Sequence, residues 1–168
     1  MEGRVGALAR AHTMLAAGQW ASAALRDLIE AELATFQPAD TEAQKRVQVE
    51  GPDLALDADA VQALSMAIHE LATNAAKYGA LSVPKGRVSV TWHLDSDTSS
   101  LTIIWRESGG PTVTRAPERR GFGSRVIEAT VQSQLGGRVK RVWEADGLVC
   151  ELIVPVARAL SPDGPSQA

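Results

Sequence analysis

The stretch from Val61 to Gly79 constrains this chain most. Val61, Leu64, Ile68, Leu71 and Ala75 recur at helical spacing and make a stripe that has to be buried. Beside it, Glu70, Asn74 and Lys77 stand at i, i+4 and i+7 and share a second face. One helix can therefore pack into a core while turning a carboxylate, an amide oxygen and an ammonium toward one spot. Oxygen ligands suit a hard cation and Lys suits phosphate, so the trio fits a magnesium-bound polyphosphate. A plain surface helix with a Glu/Lys pair has the same spacing. The rest of the chain has to decide between the two.

Around this helix the pattern alternates between helical and strand periods. Residues 4–17 read as a helix with Val5, Leu8, Ala9, His12 and Leu15 on one side, broken at Gly18. A second helical stretch begins at Trp20 and Ala21, with Leu25, Leu28, Ile29 and Leu33 as its stripe, and ends near Phe36-Gln37-Pro38. These helices are either a docking or dimerisation element or a helical cap on the same core. Arg46 to Glu50 alternates and stops at Gly51-Pro52, which predicts a short strand. Asp57 is placed to cap the long helix and Gly79 to end it. Two strands follow, one on Val88, Val90, Trp92 and Leu94, the other on Leu101, Ile103 and Trp105, joined by a polar loop from Asp95 to Ser100. Residues 106–120 lack periodicity and hold two prolines and many charges, the mark of a functional or mobile loop. A helix from Phe122 to Leu135 and closing strands near 138–144 and 148–156 complete the domain, and residues 157–168 read as a disordered tail. The expected fold class is α+β, a two-layer α/β sandwich. A mixed, mostly antiparallel sheet is covered by helices on one face and preceded by an N-terminal helical segment.

Bulk properties exclude several classes. The formal charge is −3 with no block of like charges, which argues against indiscriminate nucleic-acid or membrane binding. A single cysteine, Cys150, excludes a disulfide framework and favours a reducing compartment. No apolar run approaches the ~20 residues of a membrane span, and the N-terminus lacks a signal-peptide pattern. The expected location is the cytoplasm.

Two further features carry chemistry. Trp105-Arg106-Glu107-Ser108-Gly109-Gly110 puts a carboxylate and two glycines at a strand end. Glu107 could accept a hydrogen bond from an exocyclic amine while Gly109 and Gly110 let the backbone approach a flat ring, or the segment could be only a turn. Gly121-Phe122-Gly123-Ser124 opens a helix, where backbone amides make an anion site. A Rossmann fingerprint is excluded because a charged, proline-bearing loop precedes it, and no Gly-Lys-Ser/Thr exists for a P-loop.

These boxes, in this order, resemble the ATP-binding catalytic domain of sensor histidine kinases in the Bergerat or GHKL superfamily. More narrowly they resemble the HWE kinases, named for a His in the asparagine box (here His69) and a Trp-x-Glu (here Trp105 and Glu107). The resemblance covers about residues 45–156, read as the catalytic domain, and residues 1–37 are similar to part of that family's dimerisation region. It implies ATP and Mg2+ as cofactors. Asn74 would hold magnesium, and Glu70 would orient the reacting end. Lys77 and Tyr78 would lie at the nucleotide, and Glu107 would read adenine beside Gly109 and Gly110. Residues 111–120 would form a lid with Arg115, Arg119 and Arg120, and Gly121, Phe122, Gly123 and Ser124 would cradle phosphate. His69 would either hydrogen-bond toward Trp105 or the lid base or take part directly. His12 and His93 read as surface or packing residues. The implied activity is transfer of the γ-phosphoryl group to a histidine on a dimerisation helix, for relay to a response regulator receiver domain. The family's His-Arg-x-Lys-Asn-like acceptor motif is missing, so the chain is expected to be a piece of a longer kinase, unable to autophosphorylate alone. An anti-sigma-type serine kinase of the same superfamily and a non-catalytic nucleotide-binding scaffold are the competing readings.

Overall fold

The computed structural model describes residues 23–36, 45–117 and 121–162. The helix expected over 4–17, His12, Trp20, Arg119, Arg120 and the end of the tail lie outside the described residues.

The chain enters as a two-residue strand β1 (Ala23–Ala24), followed by helix α1 (Leu25–Leu33) and a 3-10 turn at Ala34–Phe36. The expected second helix is thus confirmed on its stripe but not at Ala23 and Ala24. There, antiparallel pairing with β3 overrides alanine's preference for helix, matching Ala23 to Leu56 and Ala24 to Ala55. Strand β2 (Val47–Glu50) and the short β3 (Ala55–Leu56) precede the long helix α2 (Ala58–Lys77). Asp57 caps α2 as expected, its carboxylate accepting from the Asp59 amide at 3.0 Å. After a 3-10 turn at Ala80–Ser82 come β4 (Arg87–Asp95) and β5 (Ser100–Ser108), then α3 (Phe122–Leu135), β6 (Arg138–Glu144), β7 (Gly147–Pro155) and a short α4 (Val156–Ala159).

The main sheet has the order β2-β4-β5-β7-β6. Only β2 and β4 run parallel; every other pairing is antiparallel. Alternation along β4 buries Val88, Val90 and Trp92, and along β5 it buries Leu101, Ile103 and Trp105. The α2 stripe of Val61, Leu64, Ile68, Leu71 and Ala75 is buried against them. Leu25, Leu28, Ile29 and Leu33 of α1 enter the same hydrophobic core, so this part of the N-terminal segment packs as a cap on the domain.

The tail is ordered further than expected. Ala159 is fully buried, Leu160 bridges to Leu56, and the Ser161 amide donates to the Ala55 carbonyl at 3.0 Å. Backbone pairing with β3 holds a segment whose composition alone gives no reason for order. Among the described residues, no helix is long and apolar enough to cross a membrane. Cys150 is buried on β7, opposite Trp105 of β5, and burial pushes its thiol up to about 11.

Candidate functional site

A cavity of about 410 Å³ opens between the C-terminal half of α2, the end of β5 and the start of α3. Asn74 and Tyr78 line it from α2, Glu107 from β5, and Gly121, Gly123 and Ser124 from the α3 entry. The three sequence boxes therefore meet at one place. Leu71, Ile127 and Leu148 supply apolar wall. Such a site, mostly apolar with a few convergent polar groups, suits a flat heterocycle with a polar tail.

Glu70 is buried behind the polar end. A Cβ added at Gly123 would stand 2.6 Å from Glu70 Oε2 and 3.5 Å from the Asn74 amide nitrogen. The first turn of α3 thus sits close against Glu70 and Asn74, and glycine at 123 is what permits it. α3 is a 14-residue helix entered at Gly121, which has no side chain to cap it, and its N-terminal end points its dipole at the cavity.

Glu107 is nearly buried, at 6% exposure. Its Oε1 accepts from the Trp105 indole N–H at 3.1 Å and its Oε2 from the Ala80 backbone N–H at 2.9 Å. Burial raises its carboxyl above the usual carboxylate range, against the lowering effect of those two donors.

The glycines do different work from that expected. Gly79 is not a left-handed helix stop; Tyr78 caps α2, and a Cβ at 79 would overlap the Glu107 carboxylate. Gly109, at φ +65°, and Gly110 do not line the cavity. A Cβ at 110 would stand 2.7 Å from Ala80 Cα, and a Cβ at Gly86 would overlap the Ala80 carbonyl. Ala80 is therefore wedged between two glycines, and its N–H is aimed at Glu107 from there. Asp146 braces the far side by accepting from the Gly109 amide at 2.9 Å.

Three other expectations fall elsewhere. Lys77 is exposed on the last turn of α2 and is absent from the cavity wall, and Phe122 is 66% exposed. His69 turns neither to Trp105 nor toward the cavity. Its Nδ1 lies 3.1 Å from Oε2 of the buried Glu32 on α1, whose Oε1 accepts from Ser65 Oγ at 2.6 Å. At about 100° per residue it lies a quarter-turn from Glu70, which is enough to face a different neighbour. His93 is exposed on β4.

Sequence reasoning missed Arg141 and Trp143. They alternate on β6 and so share the face that looks onto the cavity. Arg141 donates to Glu128 Oε1 at 2.6 Å and to the Ser124 carbonyl at 3.1 Å, holding the first turn of α3 to the sheet. Period-2 alternation at 138–144 was the available signal, but it does not say which face meets the site.

The comparisons with known proteins bear on the kinship of the chain and on its fold. Residues 1–53 match the model of the family described as HWE histidine kinase. The chain is 40% identical over 154 residues to a blue-light-activated histidine kinase of Rhizobium johnstonii, covering 92% of this chain and 43% of that protein. It is 35% identical over 161 residues to one of Brucella ovis, covering 95% of this chain and 32% of that protein. The chain thus spans less than half the length of these curated relatives. Its fold resembles the histidine kinase domain of the Erythrobacter litoralis blue-light activated histidine kinase, with a TM-score of 0.71 at 17% identity, over 93% of this chain and 74% of that one.

Proposed function

We propose that this chain, which is similar to the HWE histidine kinases, is the ATP-binding catalytic portion of a sensor kinase, acting on a histidine carried by a separate helix. The family implies use of ATP. The convergence of Asn74, Glu107 and Gly121 to Ser124 on one cavity supports this reading.

Glu107 would accept the exocyclic amine of adenine in the apolar part of the cavity. The positive end of the α3 dipole, where the backbone at Gly121 to Ser124 faces the cavity, would receive the phosphate tail. Asn74 and the buried Glu70 behind it fit a magnesium ion, which takes one or two protein oxygens and otherwise keeps water and phosphate. When bound, that ion would neutralise charge between phosphate oxygens. Among the described residues no cluster of three His, Cys, Asp or Glu could hold a metal alone, in keeping with a site completed by substrate oxygens. Lys77 would meet phosphate only from the solvent side. His69, paired with Glu32, would dock α2 against α1 rather than touch the substrate. Phosphoryl transfer needs positioning and charge stabilisation more than covalent help. An acceptor imidazole nitrogen would form the P–N bond as the bond to the β–γ bridging oxygen breaks and ADP leaves. The acceptor helix of the same kinase or of a dimer mate, and a response regulator receiver domain, would be the partners, with the reaction in the cytoplasm.

The deciding experiment mixes the full chain with magnesium and γ-labelled ATP and a separately produced HWE-type acceptor domain. The expected product is acid-labile and base-stable, as phosphohistidine is. Acid-stable label would point to serine chemistry instead. No label on any acceptor would leave a nucleotide-binding scaffold.

Affinity should also depend on pH through Glu107. Burial favours its protonated form, so the acceptor carboxylate is lost as pH falls through a raised value. Calorimetry from about pH 8 to about pH 5 should show ATP binding weakening above the ordinary carboxylate range near ~4.3. Glu107→Gln should flatten that dependence. For folding the sign is opposite. A raised folded-state value contributes stability at low pH that is lost as pH rises through it.

A further inference from the structure

We propose that Trp105 is a positioning residue for base recognition: its indole N–H fixes the Glu107 carboxylate in the one orientation that presents it to the cavity. The proposal rests on the reading of Glu107 as the group that receives an exocyclic amine.

Trp105 is fully buried and stands two residues before Glu107 on β5, so both side chains leave the same face of the strand. A buried indole N–H needs an acceptor. Here the acceptor is Glu107 Oε1 at 3.1 Å, a side chain that also lines the cavity. The second oxygen is held by the Ala80 amide at 2.9 Å. Cβ atoms are excluded on both flanks. One at Gly79 would overlap the carboxylate, and one at Gly147 would stand 2.8 Å from Glu107 Cβ. A carboxylate has about four lone-pair sites, so two remain for a ligand after these donors are satisfied. Glutamate has three side-chain torsions, and without an anchor they would have to be frozen on binding. Trp105 fixes them beforehand, and it adds a donor that favours the ionised, purely accepting form.

This gives a readout that packing alone would not move. A merely structural Trp105 would, when altered, weaken all nucleotides alike. A positioning Trp105 controls the preference for a base bearing the amine. The test uses magnesium complexes of ATP and of purine riboside triphosphate, which lacks that amine, with affinities measured by calorimetry on the full chain. The unaltered protein should prefer ATP by about tenfold to a hundredfold, the range for a hydrogen bond to a charged group. Trp105→Phe should reduce that preference to within about threefold. Because Phe leaves space in the core, a second variant carries benzothienylalanine at position 105, which keeps the ring shape with sulfur in place of N–H. Loss of preference in that variant supports the proposal even where the Phe variant fails to fold. Preference equal to the unaltered protein's in the benzothienylalanine variant overturns it. Glu107→Gln separates the two layers. If that variant keeps full preference for ATP, the reading of Glu107 itself fails. If it loses preference while the Trp105 variants keep theirs, only the role of Trp105 fails.

Discussion

Asn74→Ala should lose magnesium-ATP binding by on the order of a hundredfold, the scale for removing a group on which metal geometry depends. Asn74 lies on the cavity side of α2, half-buried and apart from the apolar stripe. Apo stability should therefore change by less than about 0.5 kcal/mol, as for a substitution away from the core. The loss should also depend on the metal. With magnesium chelated, the variant and the unaltered chain should bind ATP within about threefold of each other, because the remaining contacts at Glu107 and the start of α3 are untouched. Calorimetry with and without chelator measures both. Unchanged affinity in the presence of magnesium would refute the assignment of this face to the nucleotide.

Gly86→Ala should produce the largest loss of stability of any glycine-to-alanine change among the described residues. The new Cβ would overlap the Ala80 carbonyl, which is backbone and cannot rotate away. Overpacking of this kind costs about 1–3 kcal/mol and sometimes more, which for a domain of this size lowers Tm by roughly 5–10 °C. The damage should extend to the ligand. Pushing Ala80 outward moves the N–H that holds Glu107 Oε2, so ATP affinity should fall even well below the melting transition. Thermal unfolding and calorimetry on the same preparation test the two halves. A variant that melts as before would mean that residues 80–86 yield more easily than their packing implies.

How far these features could be read from the residues depends on their range in the chain. Periodicity placed α2, α3 and the strands because each reports on its own burial. The stripe from Val61 to Ala75 names a core face without reference to its partner. The three boxes around Asn74, Glu107 and Gly121 could be read as a group because their residue types agree on one ligand. The Glu32–His69 contact could not, since its members lie 37 residues apart and only the docking of α1 on α2 joins them. The roles of Gly79, Gly86 and Gly110 were hidden for another reason. A glycine in sequence signals turns and left-handed backbone, yet these three are needed for the room they leave around Ala80 and Glu107. Pairing with β3 at Ala23–Ala24 and Ser161 likewise outweighed local composition.

The burial of Cys150 has a practical outcome for measuring motion in this protein. It is the only cysteine in the chain, and its thiol, pushed up to about 11, is almost wholly protonated near neutral pH and sealed behind the sheet. Alkylating reagents attack the thiolate at an accessible sulfur, so the native protein is silent to maleimide dyes. A cysteine installed at the exposed Ala116 becomes a unique attachment point without any need to delete the native one. A fluorophore there, beside Pro117 of the cavity wall, reports the change in its own surroundings as nucleotide is added.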